Sequence, residues 1–352
     1  TPKPSSAASD VYKRQAQSSY DSFLVDLDGT ANIGDLPVPY AVDALNTFGD
    51  CVVYVTNNAS RSPDTVHHRL KRIGYNTDVQ HIVTSAQLAA QVMKKDLVSG
   101  AEVLVLGTPY LEQVVRESGF STVRDNSCQT KAVVQGHSDA TGWKQLSAAA
   151  RAIRNGARYY ATNKDTCLPS EQGLNVGNGA MVAAVEVSTG VRAITAGKPA
   201  AQSMQQAAHL VEGQNPLVIG DRLDTDIEGG NNAGYDTLCV LTGVTSITDI
   251  CNASKKQRPT YVVPDLRFLK DLVCSPKDFN LPHYSRAYAK EILLLDVDCS
   301  GVATVRFLNK HASHVEKIAA LIVQAWDNTQ CVKVVKGFDT TDTEELVSWS
   351  TL

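Results

Sequence analysis

Two hydrophobic periods alternate along this chain. From residue 22 to about residue 242, short unbroken apolar runs take turns with longer stretches of helical period. That alternation predicts parallel strands separated by helices, an α/β sheet. The first strand is expected at Ser22–Leu27 and the second at Cys51–Thr56, an apolar run suited to burial on both faces. Ser62 and Pro63 then supply a cap and a first-position proline for a helix. Val66, Leu70 and Ile73 form its apolar stripe, and Gly74 stops it. Further strands are expected at Glu102–Leu106, Lys131–Gln135, Arg158–Ala161, Arg192–Thr195, Pro216–Ile219 and Thr237–Leu241. Helices are expected at Ala86–Lys95, Leu111–Glu117, Trp143–Arg154, Ala200–Val211 and Thr225–Asn232.

Beyond Pro276 and Pro282 the pattern changes. Glu291–Val297, Val302–Leu308 and Gln330–Val335 read as strands, and His314–Trp326 as an amphipathic helix. Residues 281–352 are therefore expected to form a separate β-β-α-β module. At the other end, residues 1–15 are polar and lack the apolar run of a signal peptide. The stretch Ser9-Asp10-Val11-Tyr12-Lys13-Arg14-Gln15 resembles a translated library transposon end, so this segment is expected to be a non-native, disordered tail.

Composition narrows the classes of function. The 352 residues allow two or three domains, and 43% hydrophobic with 20% charged residues is an ordinary globular balance. A formal net charge of −4 gives no support to non-specific nucleic-acid binding. No apolar run reaches the roughly 18 residues a bilayer requires, so no membrane partner is expected. The 8 cysteines are scattered without a C-x-x-C pair and read as buried, reduced thiols of a cytoplasmic protein.

Four polar clusters follow predicted strands: Asp26-Leu27-Asp28-Gly29-Thr30, Thr56-Asn57-Asn58, Gly197-Lys198-Pro199, and Gly220-Asp221 through Thr225-Asp226. Parallel strands bring such ends to one edge. Each cluster alone has a bland reading: a turn, a helix cap, nothing, and a capping box respectively. The four in this order fit phosphoryl transfer. Asp26 can attack phosphorus, and Asp28, facing another way, can handle a proton. A hard divalent cation would offset the repulsion between phosphate and acids, with Asp26 and Asp221 as donors. Lys198, Thr56 and Asn57 would hold the remaining phosphate oxygens. Leu295-Asp296-Val297-Asp298 imitates the first cluster but lacks the Gly-Thr and any partner clusters, and reads as a turn.

These clusters resemble the motifs of the haloacid dehalogenase superfamily over about residues 20–250. The likeness is to the branch with a large α/β cap, which includes phosphoglycolate and p-nitrophenyl phosphatases and NagD-like nucleotidases. Ala161-Thr162-Asn163-Lys164-Asp165, Leu168-Pro169 and Gly177 to Val182 are most similar to the actinobacterial-type glycerol-phosphate phosphatase group. The resemblance implies a Rossmann-like core (residues 16–80 and 191–275), an inserted cap (81–190) and the C-terminal module. It implies a magnesium-dependent phosphomonoester hydrolase with Asp26 as nucleophile and Asp28 as general acid/base. Thr56 and Asn57 would contact phosphate, and Lys198 would steady it. Asp26, Asp221 and the Asp28 carbonyl would bind the metal, with Asp226 in support. A small phosphomonoester is implied, glycerol 3-phosphate first and 2-phosphoglycolate second, together with a homodimer through the cap. Asn163, Asp165 and Pro169 would face substrate, or else form an Asx-turn. The different-class alternative is a non-catalytic ligand-binding protein on the same fold.

Overall fold

The computed structural model describes residues 19–125, 127–170, 173–276, 279–281, 289–290, 293–297, 302–309, 312–327, 332 and 334–336. The expected tail at 1–15, the Asp298–Gly301 end of the imitating motif, and Cys299 and Cys331 lie outside the described residues. In chain order the main strands are β1 (Ser22–Val25), β2 (Val52–Thr56), β3 (Glu102–Leu106), β4 (Ser121–Val123), β5 (Ala132–Gln135), β6 (Arg158–Ala161) and β7 (Ile194–Thr195). They continue as β8 (Pro216–Gly220), β9 (Asp236–Val240), β10 (Tyr261–Val263), β11 (Leu293–Val297), β12 (Val302–Phe307) and β13 (Val334–Lys336). The chain divides into two compact units. One takes the residues up to Tyr54, Leu70–Thr77 and everything from Met204 on; the other takes Val55–Arg69 and Asp78–Ser203.

In the first unit, parallel strands run in the order β10-β9-β8-β1-β2. All residues of β1 and β8 are buried, which explains their unbroken apolar sequences. Val25 pairs with Ile219 on one side and with Tyr54 on the other. The residues just past Val25 and Gly220 therefore emerge side by side at the carboxyl edge. This register brings Asp26 and Asp221 together.

The C-terminal module belongs to the same unit. β11 and β12 are antiparallel, and β12 and β13 are parallel. Leu321, Ile318 and Leu293 share one apolar cluster with Ile250, Cys251 and Val262 of the sheet region. Trp326 Nε1 donates to the Ile250 carbonyl at 2.7 Å, and the Arg258 guanidinium lies 4.7 Å from the Trp326 ring centre.

The second unit holds a parallel sheet in the order β7-β6-β5-β3-β4. Its core includes Leu104, Val133, Tyr159, Ala149 and Val182. Two of its features depart from the hydrophobic pattern. Helix Asn178–Thr189 carries apolar residues on both sides, so no helical period announces it. Cys167–Ser170 and Gly173–Val176 form an antiparallel hairpin. The cysteines need a correction: among the described residues only Cys239 and Cys251 are buried, Cys51 is half-buried, and Cys128, Cys167 and Cys274 are exposed. Cys128 lies in a loop, Cys167 starts the hairpin and Cys274 ends a helix, so none of the three is in a sheet interior. Burial, then the charges of Asp221, Asp226 and Asp249, hold the Cys239 thiol well above its usual range.

Glu186 anchors the inside of this unit. Its carboxylate oxygens lie 2.7 Å from Lys164 Nζ and 2.8 Å from Arg192 Nη1, and Ala193 N–H donates to it at 2.8 Å. Burial by itself raises the carboxyl; the Lys164 ammonium, the Ala193 amide and the Arg192 guanidinium outweigh it and hold it below the ordinary 4.5. A depressed carboxyl stabilises the fold above its unfolded value, and that contribution fades as pH falls through the folded value. We expect Glu186→Gln to cost about 2 kcal/mol at neutral pH and progressively less below pH 4.5. Urea unfolding of both proteins across that range measures the difference, and equal stability at neutral pH would contradict the role.

Candidate functional site

In the first unit, three carboxylates converge. Asp26, Asp221 and Asp226 each offer an oxygen, and these oxygens all lie within 4.8 Å of one another. Asp26 follows β1, and its N–H donates to the Ile219 carbonyl at 2.9 Å. Asp221 follows β8 and has no exposed surface (0%). Its Oδ2 accepts the Val244 N–H at 2.7 Å, and its Oδ1 accepts the Thr30 hydroxyl at 3.3 Å. Asp226 sits in a single π-type turn, Leu223–Ile227, and accepts the Arg222 N–H at 3.1 Å. That bond spans four residues and no side chain caps this turn, so the capping box that the segment could have formed is not what holds Asp226.

Glycines make the room. A Cβ on Gly243 would lie 2.0 Å from Asp221 Oδ2, and one on Gly29 would lie 2.5 Å from it. Gly29 also has a φ of +98°, a conformation that disfavours any side chain. A Cβ on Gly220 would lie 2.2 Å from that of Asp226. Thr242 Oγ1 donates to the Gly29 carbonyl at 2.7 Å, tying the two glycine loops together. Three clustered acids with short, buried support match the oxygen-donor set of a hard divalent cation.

Asp28 stands apart from that trio. It is exposed, and its carboxylate accepts the Asn32 amide at 3.2 Å. Gly29, Thr30, Ala31 and Asn32 close a tight turn behind it, three of their N–H groups donating to the Leu27 carbonyl. The two acids of the first cluster therefore face different surroundings. Asn32, Thr242, Gly243 and Val244 were not singled out in the sequence. The signal available for Gly243 was its position just past a strand, shared with the other clusters.

The second unit gathers Thr56, Asn57, Asn163, Asp165 and Lys198. Thr56 ends β2 and is buried, and its Oγ1 accepts the Asn58 N–H at 3.1 Å. Lys198 is buried too, with Nζ donating to the Val55 carbonyl at 3.0 Å. Asn57 Oδ1 accepts the Lys198 N–H at 2.9 Å. Asn57 Nδ2 donates to the Lys198 carbonyl and to both oxygens of Asp165, each at 3.2 Å. Asn163 Nδ2 donates to the Asn57 carbonyl at 2.7 Å, and Asn163 Oδ1 accepts the Asp165 N–H at 3.2 Å. The Asx-turn is thus formed, and it presents Asp165 to Asn57. Pro169 lies on the hairpin, opposite Leu174.

The order of the second sheet reverses between β3 and β5, and open α/β sheets leave a crevice at such a point. Here the loop after β2 occupies it. A Cβ on Gly136 would lie 3.2 Å from that of Ala59, and Ser60 Oγ donates to the His137 carbonyl at 3.1 Å.

Comparison with known proteins gives a consistent picture. The profile of a haloacid dehalogenase-like hydrolase family matches residues 23–121, and a second such hydrolase profile matches 195–269. A D-glycerol 3-phosphate phosphatase of Mycobacterium tuberculosis is 46% identical over 250 residues, 71% of each chain. An acid sugar phosphatase of Staphylococcus aureus is 36% identical over 70% of this chain and 95% of its own. The crystal structure of the mycobacterial glycerol phosphate phosphatase in complex with magnesium superposes with a TM-score of 0.81 and 38% identity. It covers 95% of this chain and 98% of that one. A p-nitrophenyl phosphatase of Archaeoglobus fulgidus gives a TM-score of 0.65 at 26% identity, over 72% of this chain and 98% of its own.

The glycine clearance gives a direct test. Gly243→Ala places a methyl group where the Asp221 carboxylate lies, and we expect magnesium affinity by calorimetry to fall about 10–100-fold. Unchanged affinity would contradict the role of this loop.

Proposed function

This chain belongs to the haloacid dehalogenase-like hydrolases, and we propose that it is a magnesium-dependent phosphomonoester phosphatase. The observation that carries the proposal is the Asp26–Asp221–Asp226 cluster, its oxygens within 4.8 Å of one another. Asp26, Asp221 and the Asp28 carbonyl are assigned to the metal, with Asp226 supporting them. Bound there, the ion supplies positive charge that lets a phosphate approach the acids.

Asp26 attacks phosphorus, and the bond to the ester oxygen breaks. Asp28 gives that oxygen a proton, so the alcohol leaves neutral. Asp28, now a carboxylate, takes a proton from water. The resulting hydroxide attacks the aspartyl-phosphate, freeing inorganic phosphate and restoring Asp26. The exposure of Asp28 and its single anchored oxygen at Asn32 suit a group that exchanges protons. Thr56, the Asn57 backbone and Lys198 hold the phosphate oxygens. In this reading residues 16–80 and 191–275 are the core and 81–190 the cap.

Glycerol 3-phosphate is the first substrate assigned, on the strength of the mycobacterial relative, with 2-phosphoglycolate second. Substrate choice is assigned to the loop carrying Asn163, Asp165 and Pro169. A cytoplasmic setting is supported by free thiols at exposed Cys128, Cys167 and Cys274. No helix among the described residues is long and apolar enough to cross a membrane.

A phosphate-release screen over glycerol phosphates, phosphoglycolate, nucleotides and sugar phosphates tests the activity. Release from none of them with magnesium present would refute it and favour a binding protein. Asp28→Asn is expected to slow turnover by about 10²–10⁴-fold, and Asp26→Asn to abolish it; wild-type turnover in either would remove that residue from the reaction.

A homodimer through the cap is also proposed. Its support is the solvent side of helix Asn178–Thr189, where Val187 is 86% exposed, with Val191 and Ile194 exposed in the segment that follows. Val187→Glu is expected to shift sedimentation from dimer to monomer. A wild-type monomer, or a dimer unmoved by the change, would contradict this surface.

A further inference from the structure

Asp165 sits on the loop assigned above to substrate choice, yet its carboxylate is turned to a different partner. Both of its oxygens accept the Asn57 amide at 3.2 Å. The other end of that carboxamide accepts the Lys198 N–H at 2.9 Å, while the amide also donates to the Lys198 carbonyl at 3.2 Å. One side chain therefore bridges the Asp165 carboxylate and the backbone of Lys198. Steric limits leave this bridge little freedom. A Cβ on Gly197 would lie 2.5 Å from Asn57 Oδ1. Ser85 Oγ donates to the Asn57 carbonyl at 2.6 Å, and Asn163 Nδ2 donates to it at 2.7 Å.

The Asp165 backbone is fixed just as firmly. Its carbonyl accepts the Gly179 N–H at 2.8 Å, and its N–H donates to Asn163 Oδ1. A Cβ on Gly177 would lie 2.3 Å from the Asp165 carbonyl oxygen, and one on Gly179 would lie 2.0 Å from that of Lys164. Asn178 Nδ2 donates to the Asn163 carbonyl at 2.8 Å. The start of helix Asn178–Thr189 thus serves as a seat for the loop, and the glycines let the backbones meet.

We infer that Asp165 is a positioning residue that acts through the Asn57 carboxamide to hold Lys198 in place for the phosphoryl group. The inference rests on the phosphatase reading, since it concerns the lysine that steadies the phosphate. A charged acceptor fixes which way the carboxamide faces: its amide end must point at Asp165, leaving its oxygen for the Lys198 N–H. Without that acceptor the two bonds between Asn57 and the Lys198 backbone remain, but the carboxamide loses the charged partner that braces it against the loop, and its grip on Lys198 loosens. A displacement of about 1 Å in such a group costs on the order of 10²-fold in rate.

The test is a double-mutant cycle on the full chain with two esters, glycerol 3-phosphate and p-nitrophenyl phosphate. The second has no hydroxyl groups for a cap residue to recognise. We expect Asp165→Ala to lower kcat by about 10–100-fold on both esters alike, with KM changed less than about threefold, since a misplaced lysine weakens the transition state more than the bound ester. Asn57→Ala should lower it similarly. The double variant should be no slower than the slower single variant, because the two residues act in series. Asp165→Asn keeps the shape and one acceptor oxygen, and is expected to recover most of the rate. A loss confined to glycerol 3-phosphate and expressed in KM would make Asp165 a substrate ligand and overturn the inference. Losses that multiply in the double variant would also overturn it. A wild-type protein silent on both esters would overturn the phosphatase reading and this inference together, a result distinct from the other two.

Discussion

Three carboxylate oxygens held within 4.8 Å of one another are the constraint on which the first unit is organised. Fully ionised, each pair at that separation repels by about 3–4 kcal/mol at an effective dielectric near 20. A fold tolerates such a cost where something else requires it. Here the offset is partly internal: the Val244 amide and Thr30 hydroxyl donate to Asp221, and the Arg222 amide donates to Asp226. The remainder calls for a cation, and oxygen-only donors select a hard one. The glycines at 29, 220 and 243 follow from the same constraint, since any side chain there would enter the space the acids occupy.

The second unit solves a different problem, the placement of a buried ammonium. Lys198 is 3% exposed, and a buried cation must be met by oriented acceptors. The Val55 carbonyl is one of them, and the backbone of Lys198 is gripped by Asn57. The β2 loop that supplies Asn57 is itself fastened at the switch point of the second sheet through Ala59 and Ser60. Residues that a reader of the chain would assign to the core by their place in sequence are thereby bound into the unit that carries the cap loop.

Much of this was legible in the chain, for identifiable reasons. The strand ends at Asp26, Thr56 and Asp221 were readable because their strands are buried on both faces and leave unbroken apolar runs. The polar cluster after each run marks the edge. What escaped was whatever leaves no period. Helix Asn178–Thr189 is apolar on its exposed side as well, so its pattern does not distinguish in from out. The hairpin at 167–176 is short and only weakly apolar. The π-type turn at Leu223–Ile227 looks like an ordinary helix start, and only its geometry shows why Asp226 joins Asp221 and Asp26. Polar partners such as Asn57 and Asp165 are 108 residues apart, a pairing no local pattern encodes.

The central claim is that Asp26 carries the phosphoryl group. Acid-quenching the enzyme during steady turnover and reducing it with borohydride converts a phosphorylated aspartate to homoserine, which peptide mass spectrometry locates. The account predicts homoserine at position 26, dependent on both substrate and magnesium. Active turnover with no modification at position 26, or with modification at another acid, would contradict it.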